Sequence, residues 1–221
     1  MLDVLRVDAS PRQARSLSRS LADAFVNELE LHCQTHLQER DLRSSKLSFV
    51  DEEWIAAAFT PEEERTSAQR SALALSDALI DELAACDLLV ISTPMYNYGM
   101  PAALKAWVDQ VVRVNKTFTF DLARGDFPLE PVLSGKQMVL LTACGEFGFG
   151  SGGVREGQGH LVPHIETVAE YLGVDAIEHI GIEYQEFGDE RHEASKAKAH
   201  EAARAIARRI ASECAGQADA A

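Results

Sequence analysis

The chain has 221 residues, 46% of them hydrophobic and 25% charged, with a formal net charge of −14. That balance suits a water-soluble globular protein and argues against nucleic acid or an anionic membrane as the main partner, because both demand basic patches. No apolar run approaches the ~20 residues of a membrane span. Residues 1–7 read directly as a strand rather than as a signal peptide, so the expected compartment is the cytoplasm. The four cysteines, Cys33, Cys86, Cys144 and Cys214, are scattered, with no CxxC pair to suggest a zinc ribbon or a dithiol site.

Asp3 to Val7 alternates and is β-rich, which predicts the first strand. The hydroxyl- and arginine-rich stretch ASPRQARSLSRS, residues 9–20, follows. Leu17, Leu21, Ala24, Phe25 and Leu29 then recur at helical spacing, to about Cys33. Leu37 to Leu42 is expected as the second strand. Residues 43–65 form an acidic excursion around Trp54, Ile55 and Phe59. Ala68 to Ala85 reads as a helix with Ala72, Leu75, Leu79, Ile80 and Leu83 on one face.

Leu88 to Ser92 is an apolar run, a buried strand, and it ends in the loop TPMYNYGMP. Pro94, Gly99 and Pro101 forbid both a longer strand and an early helix. Ala102 to Val112 is the next helix, burying Leu104, Trp107, Val108, Val111 and Val112. Residues 117–128 suggest an extended insertion. Gln137 to Ala143 is the fourth strand. Residues 145–159 then hold seven of the 14 glycines. Leu161 to Leu172 is a helix, Asp175 to Ile182 the fifth strand, and Asp189 to Cys214 the last helix. Residues 1–214 are expected to make one domain, and 215–221 a frayed tail.

Strands and helices alternate five times. That demands right-handed crossovers and a parallel sheet covered on both faces, a flavodoxin-like doubly wound α/β fold with strand order 2-1-3-4-5. In such a sheet the ligand lies over the carboxyl ends of strands 1, 3 and 4. The first end offers Ser10, Ser16 and Ser18 with free N–H groups at a helix start, an uncharged cradle for a phosphate. Capping and turn chemistry alone would use serines in the same places. The second end offers Met95, Tyr96, Asn97 and Tyr98, suited to a flat, hydrogen-bonding ligand.

Gly148-Phe-Gly150-Ser-Gly-Gly153 fits GxGxxG, but a dinucleotide fingerprint would follow the first strand and open a helix. His160 and His164 are one helical turn apart, with Pro163 between them and no third ligand in view, so no metal site is expected. Cys144 has no partner thiol and reads as packing.

The stretches DASPRQARSLSRSLADAF and TPMYNYGMPAALKAWVDQV, with a short motif after the fourth strand, resemble the FMN-dependent NADH-azoreductase and quinone-reductase family. The resemblance implies a homodimer holding one FMN per subunit, with NAD(P)H as co-substrate and quinones or azo compounds as acceptors. It carries the phosphate contacts onto Ser10, Ser16, Leu17 and Ser18, and the ring contacts onto Met95, Tyr96, Asn97 and Tyr98. The family's third loop, usually Ser-Arg-Gly-Gly, falls on Thr142, Ala143, Cys144 and Gly145, where only the last glycine is kept. No catalytic acid or base is implied. The rival reading is a flavodoxin-type electron carrier with no substrate of its own.

Overall fold

A computed structural model describes residues 1–218. In chain order the regular elements are β1 (Leu2–Asp8), α1 (Leu17–His32), β2 (Thr35–Asp41), α2 (Glu52–Phe59), α3 (Ser67–Ala85), β3 (Leu88–Pro94), α4 (Ala102–Val111), β4 (Phe118–Phe120), β5 (Leu129–Pro131), β6 (Lys136–Ala143), α5 (Leu161–Val168), β7 (Val174–Ile182) and α6 (Glu190–Ala218). Five strands form one parallel sheet in the order β2-β1-β3-β6-β7. This is the expected 2-1-3-4-5 order. The numbering shifts because β4 and β5 pair only with each other, as an antiparallel ribbon inserted after α4.

Two apolar layers sandwich the sheet. Leu5, Val7, Leu89, Ile91, Met138 and Leu140 face α3, α4 and α5 on one side. Val4, Leu88, Val90, Val139 and Leu141 face α1 and α6 on the other. β3 is buried on both faces at every position from Leu88 to Thr93, as a central parallel strand must be. Each completely buried leucine or isoleucine contributes about 2 kcal/mol of transfer free energy.

The helices start where the sequence supplies caps. Ser16 Oγ accepts from the Arg19 N–H at α1, and Asp51 accepts from the Trp54 N–H at α2. Thr66 and Gln69 form a reciprocal capping box at α3.

Several expectations shift by a turn or less. The buried face of α3 is Leu73, Ser76, Leu79, Ile80 and Leu83, so Ala72 and Leu75 lie at its margin. Ser76 displaces an apolar residue there because its hydroxyl donates to the Gln110 carbonyl and accepts from Arg113 Nη1 at 2.8 Å. The acidic excursion contains α2, whose Trp54 is buried with its indole N–H on Gln110 Oε1 at 3.0 Å. The β2 strand runs two residues earlier than its apolar pattern suggests, in register with Leu2–Asp8 of β1. The α6 helix continues past Cys214 to Ala218, and residues 219–221 of the expected tail lie outside the described residues.

Candidate functional site

The carboxyl ends of β1, β3 and β6 lie side by side, with Asp8 opposite Ser92 and Pro94 opposite Ala143. After β1 the chain enters the loop 9–15 and then α1. The first turn of α1 holds no acidic residue, so its positive end is not neutralised from within. The N–H groups of Leu17 and Ser18 meet no acceptor among the described residues. Ser10, Ser16 and Ser18 are all buried, and the Ser16 and Ser18 hydroxyls lie 3.4 Å apart.

Arg19 holds this loop from beneath. Its guanidinium donates twice to the Ser10 carbonyl, at 3.2 and 2.8 Å, and once each to Asp8 and Asp41. Asp8, buried at the end of β1, also accepts from Ser92 Oγ and pairs with Arg6. Burial pushes the Asp41 carboxyl up, but the hydrogen bonds from Arg19 and from the Arg43 N–H outweigh it and hold the group below its usual range.

After β3 the Met95 N–H donates to the Ala143 carbonyl at 2.8 Å, tying the loop to the end of β6. Tyr96 and Gly99 then exchange backbone hydrogen bonds of 2.9 and 3.0 Å around Asn97 and Tyr98. Both central residues are left-handed, with φ of 48° and 66°. That is the geometry of a type I′ turn, and holding a tyrosine there stores about 1–3 kcal/mol. The N–H groups of Asn97 and Tyr98 find no acceptor among the described residues, so the turn presents two free donors.

Strand alternation splits the third wall between two cavities. Side chains alternate across β6, so Ala143 and Gly145 fall on one side and Thr142 and Cys144 on the other. One cavity of ≈ 340 Å³ is lined by Ser10, Ser16, Leu17, Ser18, Met95, Tyr96, Ala143 and Gly145. A second, of ≈ 560 Å³, takes Met95, Thr142 and Cys144 together with residues of the glycine-rich loop and α5. Met95 stands between the two. Asn97 and Tyr98 line neither cavity. Tyr98 instead meets Phe149 edge-on at 6.1 Å, and its carbonyl accepts from the His160 N–H.

The 145–159 loop does not open a helix at its GxGxxG. It runs as turns to Leu161, pinned by Gly148 N–H to Glu183 Oε1 at 2.8 Å. Phe147 stacks on Tyr184 at 4.3 Å, Phe187 meets both edge-on, and Arg155 lies 4.7 Å from the Phe147 ring centre. The loop is therefore packed against the segment after β7. Burial pushes the Cys144 thiol up to about 12, so this sulfur is no thiolate nucleophile. Thr142 Oγ1 and His179 Nε2 are hydrogen-bonded at 2.9 Å, and burial lowers the His179 imidazole below its ordinary value.

Sequence reasoning missed part of the smaller cavity: Arg12, Arg15, Gln185, Glu186 and His192 also line it. Arg12 and Arg15 lie in the same serine-rich loop and were within reach of a charge argument. Gln185 and Glu186 come from the β7–α6 connection and His192 from the first turn of α6, and no local signal marks them.

A five-stranded sheet of this order, with its three strand ends gathered on one cleft, defines a flavodoxin-like protein, and a family model described as "Flavodoxin-like fold" matches residues 3–207. The chain is 51% identical over 215 residues to "FMN-dependent NADH:quinone oxidoreductase 2" of Idiomarina loihiensis, covering 94% of this chain and 90% of that one. It is 41% identical over 210 residues to "FMN-dependent NAD(P)H:quinone oxidoreductase 1" of Pseudomonas aeruginosa, covering 94% and 99%. An azoreductase from Bacillus anthracis str. Sterne superposes with a TM-score of 0.84 at 24% identity, covering 95% and 100% of the two chains, and shares the fold. The chain thus belongs to the FMN-dependent NADH:quinone oxidoreductase family.

Proposed function

We propose that this chain binds FMN in the cleft over β1, β3 and β6 and uses it to reduce quinones by two electrons at the expense of NAD(P)H. One observation carries the reading: serines of the first loop, Met95 and Tyr96 of the second, and Ala143 and Gly145 of the third line a single cavity. Its chemistry fits the cofactor. Three buried hydroxyls, two free helix-terminal N–H groups and two arginines outside any ion pair among the described residues suit a phosphate. The apolar Met95 and Ala143 beside the free N–H groups of Asn97 and Tyr98 suit a flat ring with polar edges.

Bound there, FMN supplies the hydride chemistry that links NAD(P)H oxidation to quinone reduction. The chain's own part is to bind, orient and exclude water. Ser10, Ser16, Leu17 and Ser18 would hold the phosphate. Met95 and Tyr96 would hold the ring, with the turn N–H groups of Asn97 and Tyr98 outside the cavity lining, and Ala143 and Gly145 would form the third wall, while Thr142 and Cys144 line the neighbouring cavity. No side chain is needed as a general acid or base in this scheme, and the half-buried, protonated Cys144 thiol is not enlisted as a nucleophile.

NAD(P)H and the acceptor would use one site in turn, giving ping-pong kinetics. Aromatic azo compounds, flat electrophiles like quinones, are a second acceptor class, cleaved to amines over two cycles. Residues 1–214 would form one FMN-binding domain working in the cytoplasm as a homodimer. The apolar residues that the inserted ribbon leaves exposed, Phe120, Leu122 and Phe127, support a partner subunit on that side. Among the described residues no helix is long and apolar enough to cross a membrane.

The test is steady-state turnover of the flavin-loaded chain with NADH or NADPH against a quinone and an azo dye. Parallel double-reciprocal lines with a quinone are expected. NADH oxidation that occurs only after a second redox protein is added would instead establish an electron carrier.

A further inference from the structure

The serine cradle holds one group that arrives from the opposite end of the chain. His192 lies in the first turn of α6, yet it lines the same cavity as Ser10, Ser16 and Ser18. It is only 8% exposed. Its Nδ1 lies 3.0 Å from the Glu183 carbonyl oxygen. A carbonyl only accepts, so Nδ1 carries a proton and the ring is fixed in orientation. Nε2 has no hydrogen-bond partner among the described residues. An unpartnered nitrogen of a side chain that lines this cavity, beside hydroxyls and free N–H groups arranged for an anion, is placed to meet a ligand atom.

The protonation state follows from the geometry. With Nδ1–H committed to Glu183, a neutral ring turns a lone pair from Nε2 toward the cavity, which repels a phosphate oxygen. Only the imidazolium offers an N–H there. Arg12 and Arg15 face the cavity from the first loop and oppose that charge. Glu186 lines it from the β7–α6 connection and favours the charge, as does Glu183, whose carboxylate accepts from the Gly148 N–H. On α6 and just before it, Asp189 and Glu193 are acidic and paired with Arg191 and Lys196. From α1, Arg19 is committed to Asp8, Asp41 and the Ser10 carbonyl. A phosphate dianion is the one further charge that this set is built to receive.

We infer that His192 Nε2 is a donor to the phosphate of the bound cofactor, and that binding takes up one proton on this nitrogen. The inference rests on the FMN reading above. It deepens that reading by adding α6 to the elements that select a phosphorylated flavin over the bare one.

The experiment compares FMN with riboflavin, which lacks the phosphate, on the full-length chain freed of bound flavin. His192→Asn is the primary variant, because its amide N–H can still reach the Glu183 carbonyl while nothing replaces Nε2. His192→Gln is the second. Both are expected to lower FMN affinity on the order of 10-fold, as loss of a charged hydrogen bond does. Riboflavin affinity is expected to stay within about 2-fold, far below the effect of losing a charge-assisted contact.

Calorimetry in two buffers of different ionisation heat, at about pH 8 where free FMN is already a dianion, reads the proton. Uptake is expected in the wild type and not in the variants. An unchanged FMN-to-riboflavin preference in both variants overturns the inference, and so does a lost preference with proton uptake intact. A wild-type chain that binds neither flavin overturns the FMN reading itself, which keeps the two failures apart.

Discussion

The two halves of the cleft are built by opposite means. At the β1 end, order comes from charge and capping within a short stretch of chain: Ser16 caps α1, and Arg19 ties Ser10 to Asp8 and Asp41. At the β6 end, order comes from aromatic packing between segments some forty residues apart, with Phe147 on Tyr184 and Arg191 4.8 Å from the Phe187 ring centre. The first arrangement is rigid because buried charges tolerate one geometry. The second is a packed aromatic surface over glycine turns, with Arg155 between Phe147 and Glu146. A phosphate group, the same in every turnover, suits the first. The proposed entry of different flat acceptors would suit the second.

The largest effect should come from breaking the charged half. Asp8→Ala leaves Arg6, Arg19 and Ser92 Oγ without their shared acceptor at the end of β1. We expect a loss of about 3 kcal/mol of unfolding free energy, measured by urea denaturation. A loss under about 1 kcal/mol, the scale of an exposed pair, would show that this network does not order the loop.

A smaller and more local effect is expected from Gly153→Ala in the packed half. A Cβ there would lie 2.3 Å from the Gly148 carbonyl oxygen, which belongs to the backbone and cannot swing aside. Overpacking of about 1–3 kcal/mol should open the 145–159 loop. The readout is faster proteolysis within that loop at unchanged FMN affinity. FMN affinity falling in step with loop cleavage would mean that the two halves are one cooperative unit.

The smallest effect is the acid response of His179, which lines the second cavity and is hydrogen-bonded to Thr142. Desolvation of the ring against its neighbours lowers its folded value although the residue has an exposed edge, so the unfolded chain takes up the proton first as pH falls. Its contribution is intact above the ordinary imidazole range, ~6.5, and is lost as pH drops through it toward the folded value. Unfolding free energy measured at about pH 8 and about pH 5 should differ less in His179→Gln than in the parent, because only the parent titrates there. An equal pH dependence in both would remove His179 from the account.

Sequence alone determined the sheet order, because apolar runs, helix periods and right-handed crossovers leave few ways to wind five strands. It also marked Ser10, Ser16 and Ser18, and the Met95–Tyr98 loop, because caps and the strand-breaking Pro94, Gly99 and Pro101 are written in adjacent residues; the left-handed backbone of Asn97 and Tyr98 came only with the structure. The exact faces of helices were less legible. On α3, Ser76 replaced an apolar residue at the core because Gln110 and Arg113, more than thirty residues on, satisfy its hydroxyl.

Only the tertiary structure decided which residues share a cavity. The alternation of β6 sends Ala143 and Gly145 to one side and Thr142 and Cys144 to the other, splitting a motif that is continuous in sequence. It also brought Gln185, Glu186 and His192 to the serine-rich loop near the start of the chain. The physical reason is the range of the forces. Capping and turn chemistry act over a few bonds and leave a local signature. Burial acts through space, and the partner that makes a buried histidine meaningful is fixed only when the sheet has closed.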